Sequence, residues 1–439
     1  MEFSLEQQIV FDKYIAGYNI FITGPGGSGK SALIRQIYKD AYSKSRKIYV
    51  TALTGCAAVL LNCQAKTIHS WAGIGLGNQP IENLVKKIKN NKFSRDLWRT
   101  TEILIVDEVS MLSYKLFNLL NQIGKIMRNN GRPFGGIQVI FSGDFFQLPP
   151  VGNSDDTDSS RFCFESEEWN VVFKKDNQIA LKKIFRQTDE VYANILNQIR
   201  NGKIKRKSFD LLSQYVGREI SPELIVEPTK LFPIRSRVDF INSSKMDLLK
   251  GEERKYNIVS KLDLEMTKAE KAMRLEYNIQ DIEREINYLT SNAICEKEII
   301  IKIGAQVMCI TNMPCSNICN GSQGIVTGFC DITGCPRVKY NNGVEIVMTR
   351  HVWLSDKIPG VGISQVPLIL AWALTIHKSQ GATMDTAEID VGNSIFECGQ
   401  TYVALSRVKS LEGLYLSSFD VSKIKVNKKV QQFYEELEA

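Results

Sequence analysis

The chain has 439 residues, 44% of them apolar and 23% charged, which excludes disorder along its whole length and is more than one hydrophobic core usually serves. Its formal net charge of +7 is compatible with a polyanionic partner without establishing one. The ten cysteines form no C-x-x-C pair, Glu2 and Glu6 stand where a secretory signal would be basic and apolar, and the longest apolar stretch, Val366 to Ile376, is broken by Pro367. A protein of a reducing compartment with no membrane span is therefore expected, since a bilayer needs about 20 apolar residues.

In chain order, the first element is an apolar strand, Ile20-Phe21-Ile22, followed by Gly-Pro-Gly-Gly-Ser-Gly-Lys-Ser over Gly24 to Ser31 and then by the helix-like run from Ala32 to Tyr38. The pattern is G-x-x-x-x-G-K-[ST] in its required strand, loop and helix context. Glycines there let backbone N–H groups approach phosphates, Lys30 supplies charge to the outer phosphates and Ser31 offers a hydroxyl to Mg²⁺. Nucleotide binding is implied by these residues alone.

Further strands are predicted at Lys47 to Ala52, Ile103 to Val106 and Ile137 to Phe141, with helical periodicity between several of them, which predicts a parallel sheet flanked by helices. Gly24, Thr54, Asp107 and Gly143-Asp144 each lie just past a strand end, where ligands collect in such sheets. Between these strands, about Gly75 to Thr100, Lys86, Lys87, Lys89, Lys92, Arg95 and Arg99 accompany Trp98, either as a solvated helix face or as a nucleic-acid contact. Asp107-Glu108 ends its strand as an acidic pair should in a phosphate-loop ATPase: Asp107 for Mg²⁺ through water, Glu108 for the attacking water. Gly152 to Ser160 reads as an exposed acidic loop.

Arg186 and Arg407 are arginines in apolar surroundings, each a candidate to stabilise a departing phosphate or to form a structural ion pair. A helical stretch runs to about Val216, and a second α/β unit begins near Leu231-Phe232-Pro233-Ile234. Residues Gly251 to Glu298 are too charged for a buried strand and predict exposed helices or a poorly packed insert. Short β-type runs from Ile299 to Val352, punctuated by Asn320-Gly321 and Asn342-Gly343, predict a small barrel, after which alternation of helix and strand resumes from Gln365. Cys315, Cys319, Cys330 and Cys335 have loose spacing for zinc and read as ordinary thiols.

Taken together, Gly24 to Ser31, Thr51 to Gly75, Asp107 to Met111, Gly143 to Pro150, Phe185-Arg186-Gln187, Ile376 to Gly381 and Tyr402 to Arg407 resemble the motif series of a superfamily-one helicase. The segment Lys125 to Ile137, with Arg132-Pro133-Phe134-Gly135-Gly136, is similar to the signature of the Pif family of 5′ to 3′ DNA helicases, and Gly304 to Met308 and Asn320 to Gly324 resemble the start of its inserted β domain. The resemblance runs nearly end to end. It implies two RecA-like α/β domains, one over 1–190 with a wedge at about 75–100, the other over 191–301 and 363–439, with an SH3-like β insertion at 302–362.

The same resemblance implies ATP and Mg²⁺ as cofactors. Gln7 would read adenine; Gly24, Gly26, Gly27, Ser28 and Gly29 would cradle phosphate with Lys30 and Ser31; Gln147 would sense the γ-phosphate; Gln380 and Gly381 would line the nucleotide cleft; and Arg186 and Arg407 become arginine fingers. Thr54, Thr67, His69, Thr375, His377 and Lys378 would follow a DNA strand, as hydroxyls and cations suit phosphates without reading sequence. Single-stranded and forked DNA are the implied partners, with RNA–DNA hybrids and quadruplexes as further substrates, by a chain acting as a monomer on DNA. A DNA-stimulated translocase that remodels nucleoprotein without separating strands is the alternative. Ser28 departs from the family's common threonine, a change that leaves the backbone cradle intact. No transit-like leader or long N-terminal extension is read, and an Ile-, Lys- and Asn-rich composition suits an AT-rich, viral genome, so nucleus, cytoplasm and viral factory stay open.

Overall fold

A computed structural model describes residues 3–61, 63–75, 77–152, 156–187, 189–222, 224–291, 293, 295–313, 318–355 and 357–438. Its contacts divide the chain into two compact units, one of residues 1–217 with 390–439, the other of residues 218–389. Residues 191–217 and 390–439, which the sequence reading places with a second motor domain, thus pack with the first.

The first unit is built on a six-stranded sheet of β1 (Ile20–Thr23), β2 (Ile48–Ala52), β3 (Lys66–Thr67), β4 (Ile103–Asp107), β5 (Gln138–Ser142) and β6 (Gln178–Ala180), in the order β3-β2-β4-β5-β1-β6. Every pairing is parallel. The near-continuous apolar strands follow from burial of both sheet faces. Ile20, Ile22, Ile103 and Ile105 join Leu33, Ile34 and Ile37 of the helix Lys30–Ser43 on one side. Their alternates Phe21, Leu104 and Val106 join Phe117, Phe145 and Trp169 on the other, the two-residue period of a strand.

The basic stretch forms two helices, Ile81–Asn90 and Lys92–Thr100. Lys86, Lys87, Lys89, Lys92 and Arg99 are exposed, but Trp98 is wholly buried, its ring tilted at 54° against Trp71 with centroids 4.5 Å apart and its indole N–H donating to the Ala72 carbonyl at 3.0 Å. Trp98 therefore anchors the helices and offers no stacking face for a base.

The signature segment folds as a turn clamped onto the helix Tyr114–Met127. Asn121 Oδ1 accepts from the Phe134 N–H at 2.8 Å, and Arg128 Nε donates to the Gly135 carbonyl at 2.8 Å. Gly135 has φ +66°, and a Cβ there would sit 2.3 Å from the Gly124 carbonyl oxygen. Gly135→Ala is expected to destabilise the fold by about 2 to 5 kcal/mol, left-handed strain plus overpacking. A denaturant midpoint that falls at unchanged slope would show this; an unmoved midpoint would mean that the turn yields.

In the second unit, Thr229–Phe232 lies between Ala373–Thr375 and the start of Ala387–Val391, both parallel to it. The glycine-punctuated run forms a five-stranded antiparallel sheet of Gln306–Cys309, Gln323–Phe329, Pro336–Tyr340, Glu345–Val347 and Leu368–Leu370. Its turns include the expected Asn342-Gly343, with Gly343 at φ +81°. The charged stretch before it does contain helices, Lys268–Arg274 and Ile279–Ser291, but also a strand, Glu253–Asn257, paired antiparallel with Glu298–Lys302. That strand escapes sequence reading because only Tyr256 of its five residues is buried.

Among the described residues no group of three or more His, Cys, Asp and Glu could hold a metal ion, and no helix is long and apolar enough to cross a membrane. Cys315 lies outside the described residues, as do 153–155 of the acidic loop, whose Asp156 pairs with Lys115 at 2.6 Å.

Candidate nucleotide site and strand contacts

Gly24 to Gly29 link β1 to the helix Lys30–Ser43, whose first turn has no side-chain cap. Its leading N–H groups therefore face the loop and suit an anion. Lys30 Nζ donates to the carbonyls of Gly24 at 2.6 Å and Pro25 at 3.1 Å. Burial pushes its pKa down, while Asp144, Glu108 and Asp107 push it up. Gly27, at φ +85°, is approached so closely by Arg186 that a Cβ would lie 2.4 Å from the arginine's own Cβ. The Phe185 N–H donates to the Gly27 carbonyl at 2.8 Å, fixing that approach. Ser28 Oγ and both amide atoms of Gln187 are buried without a hydrogen-bond partner among the described residues. Uncapped N–H groups, a glycine cradle and orphaned polar atoms together fit a phosphate chain.

Asp107 is the last residue of β4 and is buried; burial, then the Glu108 charge, push its carboxyl up to about 6, with Lys30 opposing. Glu108 stands at φ +55°, an uncommon conformation for a side chain larger than Asn, which turns it out of the strand line. With the Ser31 hydroxyl at the start of the facing helix, the Asp107 carboxylate gives the sparse oxygen set that Mg²⁺ takes when phosphates and water complete its shell. Gln147 is buried, and its N–H donates to the Asp144 carbonyl at 2.9 Å.

Arg186 and Arg407 come together near this loop. Arg186 Nη1 donates to the Ser406 carbonyl at 3.4 Å. Arg407, only 1% exposed, donates from Nε to the Val403 carbonyl at 2.8 Å and from Nη2 to Ser406 Oγ at 2.7 Å. Burial lowers the pKa of both guanidiniums; Arg186 lowers that of Arg407 further, and Glu108 acts against the shift in each. Two desolvated cations side by side favour an anion between them.

Arg200 and Tyr434 have no distinct sequence signal here, whereas Tyr402 opens the motif Tyr402 to Arg407 without its contact being legible. The Tyr402 hydroxyl accepts from the Gly26 N–H at 2.8 Å, joining the helix Gln400–Leu405 to the loop. Arg200 forms a two-pronged pair with Asp144, and Tyr434 of the helix Lys428–Glu438 shares a 2.5 Å hydrogen bond with Thr23. Tyr434 lies in a helical run that reads as core, and Arg200 reads as one more basic residue at a helix end.

Gln7 belongs to the capping box of the helix Leu5–Ile15: its Oε1 accepts from the Ser4 N–H at 3.0 Å, and the Ser4 hydroxyl accepts from the Gln7 N–H at 3.3 Å. Its Nε2 lies against Gly29, 2.6 Å from where a Cβ would be, and the half-exposed Phe185 ring meets the same point at 3.4 Å. An amide and an aromatic face side by side suit a purine base.

Thr54, Thr67 and Thr375 play one local role: each caps a helix, Oγ1 accepting from the N–H of Ala57, Ser70 and Lys378 at 3.2, 3.3 and 3.2 Å. Each hydroxyl proton can still be donated elsewhere. His69 is half-buried, which lowers its pKa, and borders a cavity of about 240 Å³ shared with Leu53, Met111, Leu116 and Pro150. In the second unit the short helix Ile376–Ser379 carries half-buried His377 and exposed Lys378, and is followed by Gln380 and by Gly381 at φ +82°.

Residues 2–209 match the family model described as PIF1-like helicase, and residues 286–329 match that of the DNA helicase Pif1 2B domain. The chain is 38% identical to the ATP-dependent DNA helicase PIF1 of Emericella nidulans, over 96% of this chain and 61% of that protein. It thus spans about three fifths of the length of such curated relatives. Among solved structures, the Pif1 helicase from Candida albicans superposes with a TM-score of 0.78 at 36% identity, covering all of both chains. Pif1 helicase from Bacteroides in complex with ADP-AlF3 and ssDNA gives 0.68 at 29% identity, over 99% of this chain and 97% of that one. On its sequence over that length and its superposition on those folds, the chain belongs to the Pif1 helicase family.

Proposed function

We propose that the chain is an ATP-dependent DNA helicase that moves 5′ to 3′ along single-stranded DNA and unwinds duplex. The observation that carries this reading is the pairing of two buried guanidiniums, Arg186 and Arg407, beside Glu108 and the phosphate loop. A binding module needs the loop alone. Cations of this kind matter when charge develops on a phosphate that is leaving.

In this reading Gln7 and the Phe185 ring hold the base of ATP, and the N–H groups of Gly27 to Ser31 with the Lys30 ammonium hold its phosphates. Asp107 and Ser31 would hold Mg²⁺, which would supply positive charge to offset that of the phosphates. Glu108 orients the attacking water and draws off its proton, Gln147 senses the outer phosphate, and Arg186 and Arg407 stabilise the charge that forms as the bond breaks. Thr54, Thr67 and His69 in the first unit, and Thr375, His377 and Lys378 in the second, grip the strand by its phosphates, without reading sequence. The helices over 81–100 serve as a wedge, and the five-stranded antiparallel sheet as an SH3-like insert. The complex of the Bacteroides relative with ADP-AlF3 and ssDNA supports a chain that takes nucleotide and single-stranded DNA together.

The test is steady-state ATP hydrolysis with and without single-stranded DNA, followed by strand release from forks with only a 5′ or only a 3′ tail. Strong stimulation by DNA and release only from the 5′-tailed fork are expected, and Glu108→Gln should lower turnover about 10²- to 10⁴-fold. Stimulated hydrolysis without release would make the protein a translocase. Hydrolysis indifferent to DNA would remove it from both classes.

A further inference from the structure

Tyr402 lies in the helix Gln400–Leu405, all of whose residues are buried, and is itself only 3% exposed. The start of that helix is pressed against the loop that carries Gln147: Gly399 has φ +77°, and a Cβ there would lie 2.4 Å from the Gln147 carbonyl oxygen. At the other end the Leu405 carbonyl accepts from the Tyr192 hydroxyl at 2.7 Å. With the helix held at both ends, the Tyr402 ring is fixed in place against the phosphate loop.

Its hydroxyl oxygen accepts from the Gly26 N–H at 2.8 Å, and among the described residues the hydroxyl's own proton has no acceptor. Capping one loop N–H accounts for the oxygen but not for the proton, and a buried O–H with nothing to receive it is unfavourable. The place of this hydroxyl is informative. A Cβ on Gly26 would lie 3.5 Å from Tyr402 Oη and 3.8 Å from both Cβ and Oγ of Ser406. Ser406 is the residue that both guanidiniums reach, Arg186 at its carbonyl and Arg407 at its hydroxyl. The unspent O–H thus stands on the side of the loop where the two arginines gather.

An N–H that enters an oxygen lone pair polarises the O–H and strengthens it as a donor, and a phosphate oxygen is a strong, charged acceptor. Resting on the ATP-binding reading above, we propose that Tyr402 touches the substrate: its hydroxyl accepts from the Gly26 N–H and donates to an oxygen of the outer phosphate, the one that leaves. The Gly26 N–H then acts on that phosphate through the tyrosine, while the N–H groups from Gly27 onward hold the phosphates directly. Because a diphosphate brings no oxygen to this side of the loop, the contact makes the site favour a nucleoside triphosphate over its product.

The experiment measures, in the full chain with Mg²⁺, the affinities of a non-hydrolysable ATP analogue and of ADP for wild type and for Tyr402→Phe, which keeps the ring and loses the hydroxyl. The analogue should bind about tenfold or more weakly, the scale of a hydrogen bond to a charged group, while ADP should stay within about threefold of wild type. A hydroxyl that only props the loop predicts equal losses for both nucleotides, since both use the same N–H cradle, and that result would overturn the proposal. So would unchanged binding of both, or tighter binding of both, the mark of a hydroxyl that blocks the site. If Tyr402→Phe does not fold, a tyrosine fluorinated beside the hydroxyl at the same position decides instead. It keeps the hydroxyl and makes it a stronger donor, so the affinity ratio should shift toward the analogue, and an unmoved ratio would overturn the proposal. A wild type that binds neither nucleotide would refute the functional reading beneath it.

Discussion

Lys30→Ala is expected to abolish ATP turnover and unwinding while leaving most single-stranded DNA binding intact. The Lys30 ammonium is the one cation of the phosphate loop itself; burial lowers its pKa, and Asp144, Glu108 and Asp107 act against that shift. Loss of one preorganised electrostatic group of this kind costs about 10²- to 10³-fold in kcat. Loss of ground-state phosphate binding adds to that, so turnover should fall below detection. DNA affinity, measured by fluorescence anisotropy, should stay within about threefold, because the residues proposed to grip the strand sit on other elements than this charge. Undiminished hydrolysis in the variant would move the phosphate site away from Gly24 to Ser31.

For Arg407→Ala, nucleotide binding should survive and kcat should collapse by about 10³- to 10⁵-fold, the range for an arginine finger. Arg407 is buried beside another cation, so its removal relieves repulsion on Arg186 and need not weaken bound ATP. An interaction that grows only as the phosphate leaves lowers kcat without raising KM. Normal turnover would reassign the finger role, and a parallel rise in KM would make Arg407 a ground-state contact. A melting curve controls for the hydrogen bonds to Val403 and Ser406 that the variant also loses.

The parts of this fold that sequence reading reaches are those with one dominant local cause. β1, β4 and β5 are buried on both faces, so their apolar runs are unbroken, and the loop after β1 needs glycines in fixed places. Asp107 is expected at a strand end from the apolar run before it, and it is the last, buried residue of β4. Where the cause lies in distant residues, the pattern is mute. Glu253–Asn257 is a strand through pairing with Glu298–Lys302, not through its own apolarity. Trp98 sits among lysines but is claimed by Trp71, Arg200 gains its role from a partner 56 positions away, and Tyr402 and Tyr434 from partners hundreds of residues away in the chain. The division at residues 217 and 389 is likewise a property of packing, with no composition shift to announce it.

The hydrogen bond between Thr23 and Tyr434 spans 411 positions, and the whole second unit lies between the two parts of the first. During synthesis the six strands of the first sheet can therefore form well before the helix Lys428–Glu438 exists to cover them. At about 5 to 20 residues per second that wait is on the order of tens of seconds. Meanwhile the aromatic face of Phe21, Phe145, Phe164 and Trp169, later covered by Phe433, stands open to water. A nascent chain stalled in this interval should be a strong client for chaperones that bind exposed aromatic surface, and the phosphate loop should gain its full support only when that face is closed.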